Sequence, residues 1–397
     1  MKKLFFIPCI LGATLLASCS SESELANGGD SDALTASQWS HQIANSNVEI
    51  NLGSGVKGTR ASIESDDNGA FDLNGIGLFC LATAKNNVNP NEAAIDYSQG
   101  SVGFNYSVWI DNAEVNAVKN TEDGTVTNLA WADNTKHYYP TGNWHKYAFY
   151  GYYPKQTTGI EYTTDQIQVN FKDLDGTKDI IYGSAKKADD YAYSAYWFRQ
   201  EGHENDVPSV DFKHKLVRLT FAIKPGTDKE AAKTMGVTKV EVVKVPTTAT
   251  LIVADKETTA NEGTLVCDWN NNLQDIALKT TADAVLDTEF TEYGSDNTEK
   301  AIWVTDDEKS IGEGILVPVP DYDTNSDYRY QIKVTLKDKS GTVFEPEYPM
   351  DLVTSANLEA GKSYKVTMTI NGPKEITLNA TLSKWVEDNT NIGGITL

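Results

Sequence analysis

Four stretches of this chain have residue types and spacing that could do chemistry. Lys2 and Lys3 precede an apolar run from Leu4 to Leu16, which ends in Leu16-Ala17-Ser18-Cys19. The run is too short to span a bilayer, which takes about 20 apolar residues, so it reads as a secretory signal. Small residues before Cys19 make its thiol the nucleophile that accepts a diacylglyceryl group, as in a lipoprotein signal. Arg60 lies in Lys57-Gly58-Thr59-Arg60-Ala61-Ser62, an exposed kind of segment that proteases nick readily. Gly53-Ser54-Gly55-Val56-Lys57-Gly58 spells the glycine pattern of a phosphate-cradling turn. Asp321, Asp323, Asn325 and Asp327 have the spacing of the first ligands of a calcium loop.

Context removes the last two. A dinucleotide turn needs a following helix whose N-terminus meets the pyrophosphate, and Thr59 onward has no helical period. The glycines read instead as an extended, cleavable linker. In the calcium-like segment Ser326 stands where the loop requires Gly, and the twelfth position is Ile332 rather than Glu. The five His residues, at 41, 137, 145, 203 and 214, form no close pair of metal-ligand type. No nucleophile elbow is present, and the carboxylates are too numerous to single out a glycosidase pair. The chain is therefore read as a non-enzyme with no catalytic, cofactor-binding or metal-binding residues. His137 and His145 flank Tyr138-Tyr139-Pro140 and Trp144, a cluster able to stack on a sugar, but aromatic-rich strands are more often core or interface. Cys9 and Cys19 belong to the signal; Cys80 and Cys267 sit in apolar runs and read as buried, inert thiols.

The 397 residues carry 34 basic and 56 acidic side chains, a net charge of −22. Such a surface repels nucleic acid and anionic lipid, so membrane contact is expected through the Cys19 lipid anchor alone.

The elements that must position these residues are strands. Val48-Glu49-Ile50-Asn51-Leu52, Leu219–Ile223, Tyr330–Leu336, Val366–Ile370 and Ile376–Leu382 all alternate with period two and are rich in Thr, Val and Tyr. Asn, Asp and Gly clusters punctuate them, at 66–69, 122–124, 173–176 and 339–341. One short helix is expected from Asp228 to Met235 and a turn from Ala93 to Tyr97. The fold class is all-β, as two tandem antiparallel β-sandwich domains. The boundaries are a signal peptide over 1–18, a flexible acidic tether over 19–46, an N-terminal domain over 47–205 and a C-terminal domain over 206–397.

Several segments, in order, resemble the fimbrillin family, the type V pilus subunits of Bacteroides- and Porphyromonas-type bacteria. They are Lys57–Ser62, Phe71–Phe79, the aromatic strand Trp144–Pro154 ending in Tyr-Tyr-Pro, Phe212-Lys213-His214-Lys215-Leu216, Leu358–Tyr364, and Ile376 to Trp385. The resemblance implies transthyretin-like sandwiches, an outer-membrane surface lipoprotein anchored at Cys19, and cutting between Arg60 and Ala61 by an Arg-specific protease. It further implies that the strand before the cut, with Val48, Ile50 and Leu52 on one face, leaves a groove that takes a C-terminal strand of another pilus subunit. Ile376, Leu378, Ala380 and Leu382, or Ile395 and Leu397, supply the alternation a donor needs. Which segment donates, whether the polymer is homo- or heteromeric, and whether the subunit is stalk or tip stay open. A different reading is a monomeric surface adhesin that binds a host glycan or protein through its Tyr/Trp-rich face.

Overall fold

The computed structural model describes residues 48–54, 74–85, 94–101, 106–119, 126–140, 145–203, 206–278, 280–282, 285–287, 301–319, 328–345, 349–352, 358–373 and 375–383. Among these residues the protein is all-β, with strands grouped into several sheets.

The first sheet closes on itself. It comprises β1 (Leu52–Ser54), β2 (Ile76–Lys85), β3 (Val108–Lys119), β4 (Val126–Trp131), β5 (His145–Tyr153), β8 (Ile181–Ala185) and β9 (Ser209–His214). Its order is β1-β4-β3-β2-β5-β8-β9, with β9 returning to β1. Strand β9 shows why the chain takes this form. Val210, Phe212 and His214 point inward and are buried, while Ser209, Asp211 and Lys213 face solvent, the period-two pattern of a half-buried strand.

A second sheet, in the order β13-β12-β7-β6, draws on both halves of the chain. It joins β6 (Ile160–Tyr162) and β7 (Gln166–Phe171) to β12 (Ala249–Asp255) and β13 (Leu265–Val266). Strand β12 pairs antiparallel with β7 from Ala249↔Phe171 to Asp255↔Gln166. A third sheet has the order β18-β10-β22-β23, from β10 (Val217–Pro225), β18 (Lys309–Leu316), β22 (Ser363–Ile370) and β23 (Ile376–Ser383). A fourth is built around β11 (Met235–Pro246) and β19 (Gln331–Asp338), with β14 (Leu273–Ala277), β17 (Ile302–Trp303), β20 (Val343–Phe344) and β21 (Met350–Asp351). Strands β15 (Thr280–Ala282) and β16 (Val285–Asp287) form a two-stranded ribbon.

Two features depart from a purely antiparallel design. Strand β1 runs parallel to β9, and β10 runs parallel to β22 over eight residue pairs. The first sheet also continues past residue 206, because β9 pairs with β8 from Ile181↔His214 to Ser184↔Asp211. The chain passes from this sheet into the next at Lys215 and Leu216. There Gly361, at a φ of +76°, packs so tightly that a Cβ would lie 2.8 Å from the His214 carbonyl oxygen.

Helix is sparse. The helix α1 (Ala195–Phe198) starts at Ser194, whose hydroxyl caps the Trp197 amide. The expected helix near 228–235 shortens to α2 (Lys229–Ala232), capped by Asp228 on the Ala231 amide at 3.0 Å. The turn expected over 93–97 forms a few residues later, after Asp96 accepts the Ser98 amide. One continuous hydrophobic cluster runs through both halves, from Ile50 and Leu52 to Met368 and Ile370.

Candidate functional site

The functional candidate is the seam that β1 closes. Period two turns Ile50 and Leu52 into the barrel, where they are 2% and 3% exposed, while Asn51 faces solvent. Val48 is half-buried against the same core. Backbone groups tie the segment down on both sides. On one side the Ile50 amide donates to the His137 carbonyl at 2.8 Å and the Tyr139 amide to the Val48 carbonyl at 2.9 Å. Leu52 and Gly53 continue this line opposite Leu129 and Asn128 of β4. On the other side the Gly53 amide donates to the Pro208 carbonyl at 2.8 Å, and Gly53 and Ser54 lie beside Ser209 and Val210 of β9. The indole of Trp131 donates to the Ile50 carbonyl at 3.4 Å and packs against His137, tilted by 33° at 4.0 Å between ring centres. Outside the barrel the Lys136 ammonium meets the Glu49 carboxylate at 2.7 Å, a bond that raises the Lys136 pKa.

Magnitudes show what this strand can do. Burying one Ile or Leu contributes about 1.5–3 kcal/mol, so the Ile50–Leu52 pair contributes roughly 3–6 kcal/mol. The backbone bonds add about 1 kcal/mol each. While the strand is part of the chain, this holds it firmly. Without β1, the facing edges of β4 and β9 would be unpaired over an apolar slot, the geometry that accepts an added strand.

The fimbrillin-like family profile matches residues 59–385. The chain belongs to the fimbrillin-like family. That is a structural fimbrial and adhesion family rather than an enzymatic one, and it puts the protein in the class of pilus or adhesion subunits acting at the cell surface. A fimbrial protein from Bacteroides vulgatus is similar in structure, with a TM-score of 0.48 at 14% identity, covering 86% of this chain and 100% of that one. A tip fimbrial protein of Porphyromonas gingivalis, truncated at its C-terminus, gives a TM-score of 0.38 at 10% identity over 85% of this chain and 99% of that one. No curated protein matches the sequence.

The sequence-predicted residues of this fimbrillin-like chain divide in three. Val48, Ile50 and Leu52 come together at the seam. Ile376, Leu378 and Ala380 lie elsewhere, half-buried on β23 at the edge of the third sheet, with Thr377, Asn379 and Thr381 exposed on the other face. Leu382 also lies in β23, opposite Tyr364. Cys19, Arg60, Ala61, Ile395 and Leu397 fall outside the described residues, as do Trp144 and the calcium-like segment 321–327.

The remaining arginines differ in burial. Arg218 is 5% exposed and its guanidinium is held by the buried Glu313 carboxylate; Arg199 and Arg329 are half-buried. Most of these aromatic residues supply core: Tyr139, Tyr147, Tyr150 and Tyr152 are buried and Tyr139 packs on Phe149 and Phe198, while Tyr138 is 38% exposed. Burial pushes the Tyr139 and Tyr150 hydroxyls well above the usual tyrosine range and Tyr152 up to about 12. Cys80 is a buried free thiol; Cys267 is half-buried rather than buried, with burial still raising it to about 12. Sequence reasoning missed the β4 and β9 partners of the seam and the Lys136–Glu49 contact. No local signal marks them, because the pairing joins residues far apart in the chain.

Proposed function

We propose that the chain is a self-assembling pilus subunit kept unassembled by β1. In this reading it reaches the outer membrane as a lipoprotein anchored through Cys19. An Arg-specific protease cuts between Arg60 and Ala61. The released segment takes Val48, Ile50 and Leu52 with it, and the slot between β4 and β9 accepts a strand from another subunit. The donor is a C-terminal segment, β23 with Ile376, Leu378, Ala380 and Leu382 or the terminal Ile395 and Leu397. The body is two tandem units, joined by the sheet that β7 and β12 share.

The observation that carries this reading is the position of β1: a three-residue strand closes the barrel and sits six residues before Arg60. The family match beginning at residue 59 supports it, since β1 lies outside the matched region. Burial of Arg218 in β10 keeps it from serving as a cut site. The test is Arg60→Ala in cells that carry the protease. The wild-type chain is expected to shorten and form ladders on denaturing gels, and the variant to stay full length and monomeric. Normal ladders from the variant would sink the processing step.

A further inference from the structure

A second feature lies away from the seam. The end of β2, the start of β5, the residues after β8 and the turn after β12 enclose a cleft of about 320 Å³. Four lysines line it, Lys146, Lys186, Lys187 and Lys256, against one carboxylate, Glu262. This local excess of positive charge sits on a chain whose net charge is −22.

Internal pairing does not use up that charge. The Lys186 ammonium pairs with Glu262 and lies 5.0 Å from the centre of the Tyr150 ring, and the Tyr150 hydroxyl donates to the same carboxylate at 3.1 Å. Lys187 pairs with Asp206 at 2.7 Å and lies 4.5 Å from the centre of the Trp197 ring. Lys256 pairs with Asp165 at 2.9 Å and also donates to the Ile95 carbonyl. Among the described residues, Lys146 meets no carboxylate and donates to the Ala188 carbonyl at 3.3 Å. Three of the four ammonium groups are in contact with one carboxylate each, two of these from outside the lining, and Asp96 adds a longer-range attraction to Lys256, which leaves Lys146 as the ammonium with no contacting carboxylate among the described residues. Burial lowers the Lys186 pKa, so its charge is partly stripped of water and gains from an added anion.

Size and field define the ligand. A volume near 300 Å³ is the lower end for small-molecule sites and suits one sugar-sized ring. The negative field of the whole chain opposes polyanions, so a single short anion is what the cleft can hold. The Thr83 and Thr259 hydroxyls in the lining offer partners for a polyhydroxylated body.

We propose that this cleft binds a small oxyanion on a polyhydroxylated ring, the carboxylate or sulfate of an acidic monosaccharide. The site lies apart from β1 and needs neither cleavage nor assembly, so its test is independent of the pilus reading. The full chain is titrated calorimetrically with glucuronate, glucose 6-sulfate and uncharged glucose, at low salt and again at high salt. Saturable binding of glucuronate, glucose 6-sulfate or both is expected, weakened by salt, with none for glucose; which of the two binds identifies the anion. Lys146→Ala and, separately, Lys187→Gln are expected to weaken that binding about fivefold or more. Lys239→Ala, which removes an exposed ammonium from β11, serves as the control and is expected to change nothing. Glucose binding as well as glucuronate, no binding of either anion, or full affinity in a folded Lys146→Ala chain would each overturn the proposal.

Discussion

The strand β1 and the strand β23 are built from the same alternating chemistry and end in opposite situations. Strand β1 is three residues long, flanked on both sides by β4 and β9, and its segment presents fully buried side chains at Ile50 and Leu52. Strand β23 is eight residues long, paired through its whole length with β22 alone, and Ile376, Leu378 and Ala380 are only half-buried. One strand closes a sheet with few residues; the other leaves a sheet open with many. Alternation makes a segment fit an edge, but the number of flanking strands decides whether removing it opens a slot or shortens a sheet. A short closing strand joins two edges through few backbone groups, whereas a long edge strand leaves a row of backbone groups open to a partner.

The largest expected difference is at the two inward residues of the seam. Converting both Ile50 and Leu52 to Ala should destabilise barrel closure by roughly 4–10 kcal/mol, at 2–5 kcal/mol for each buried large-to-small change. Hydrogen exchange should then rise first at the amides of β4 and β9. Protection unchanged there would remove β1 from its role as the closing strand. Next in size is the buried pair of the third sheet. Glu313→Gln leaves the Arg218 guanidinium buried without its carboxylate and should cost about 3–5 kcal/mol in denaturant unfolding.

Leu378→Ala on β23 should cost less than the 2–5 kcal/mol of a fully buried position, about 1–2 kcal/mol by denaturant unfolding, because the side chain is half-buried. A loss as large as that at Leu52 would erase the contrast between the two strands.

Acid should act on the shared sheet. Burial pushes the Asp255 pKa up, but the Thr258 amide, the Asn261 and Gln166 side chains and the Glu257 amide together bring it below the ordinary carboxylate value. A carboxylate with a depressed folded pKa contributes stability above its unfolded pKa of about 3.9 and loses it as pH falls through the lower folded value. Melting followed from pH 6 to pH 2 should fall at the acid end, and Asp255→Asn should flatten that decline. The smallest effect is expected at Lys136→Ala. Its bond to Glu49 is at the surface, and the melting temperature should not change measurably.

Much of the fold was legible because period two is local. Leu219–Ile223, Val366–Ile370 and Ile376–Leu382 fall within strands, Tyr330–Leu336 does so from Gln331 on, and Ile50 and Leu52 point where alternation puts them. What was hidden is non-local. Nothing in Gly53-Ser54 announces a parallel partner at Ser209-Val210, and nothing in Gln166–Phe171 announces pairing with Ala249–Asp255. Helix α1 was missed because Tyr196-Trp197-Phe198 reads as strand by composition; the Ser194 cap and packing of Trp197 and Phe198 in the core decide otherwise. Of the site, the alternation of Val48, Ile50 and Leu52 could be read from the residues themselves, while the slot they fill could not, since β4 and β9 become neighbours only through folding.

The central claim is that β1 must leave before subunits join. A staple tests it directly. Leu52 and Leu129 lie opposite each other on antiparallel strands, both turned into the core. With cysteines at both positions, Leu52→Cys and Leu129→Cys, oxidation should lock β1 to β4. The account predicts that the oxidised, Arg60-cleaved chain stays monomeric and forms ladders once a reductant is added. Equal polymerisation with the staple closed would contradict it.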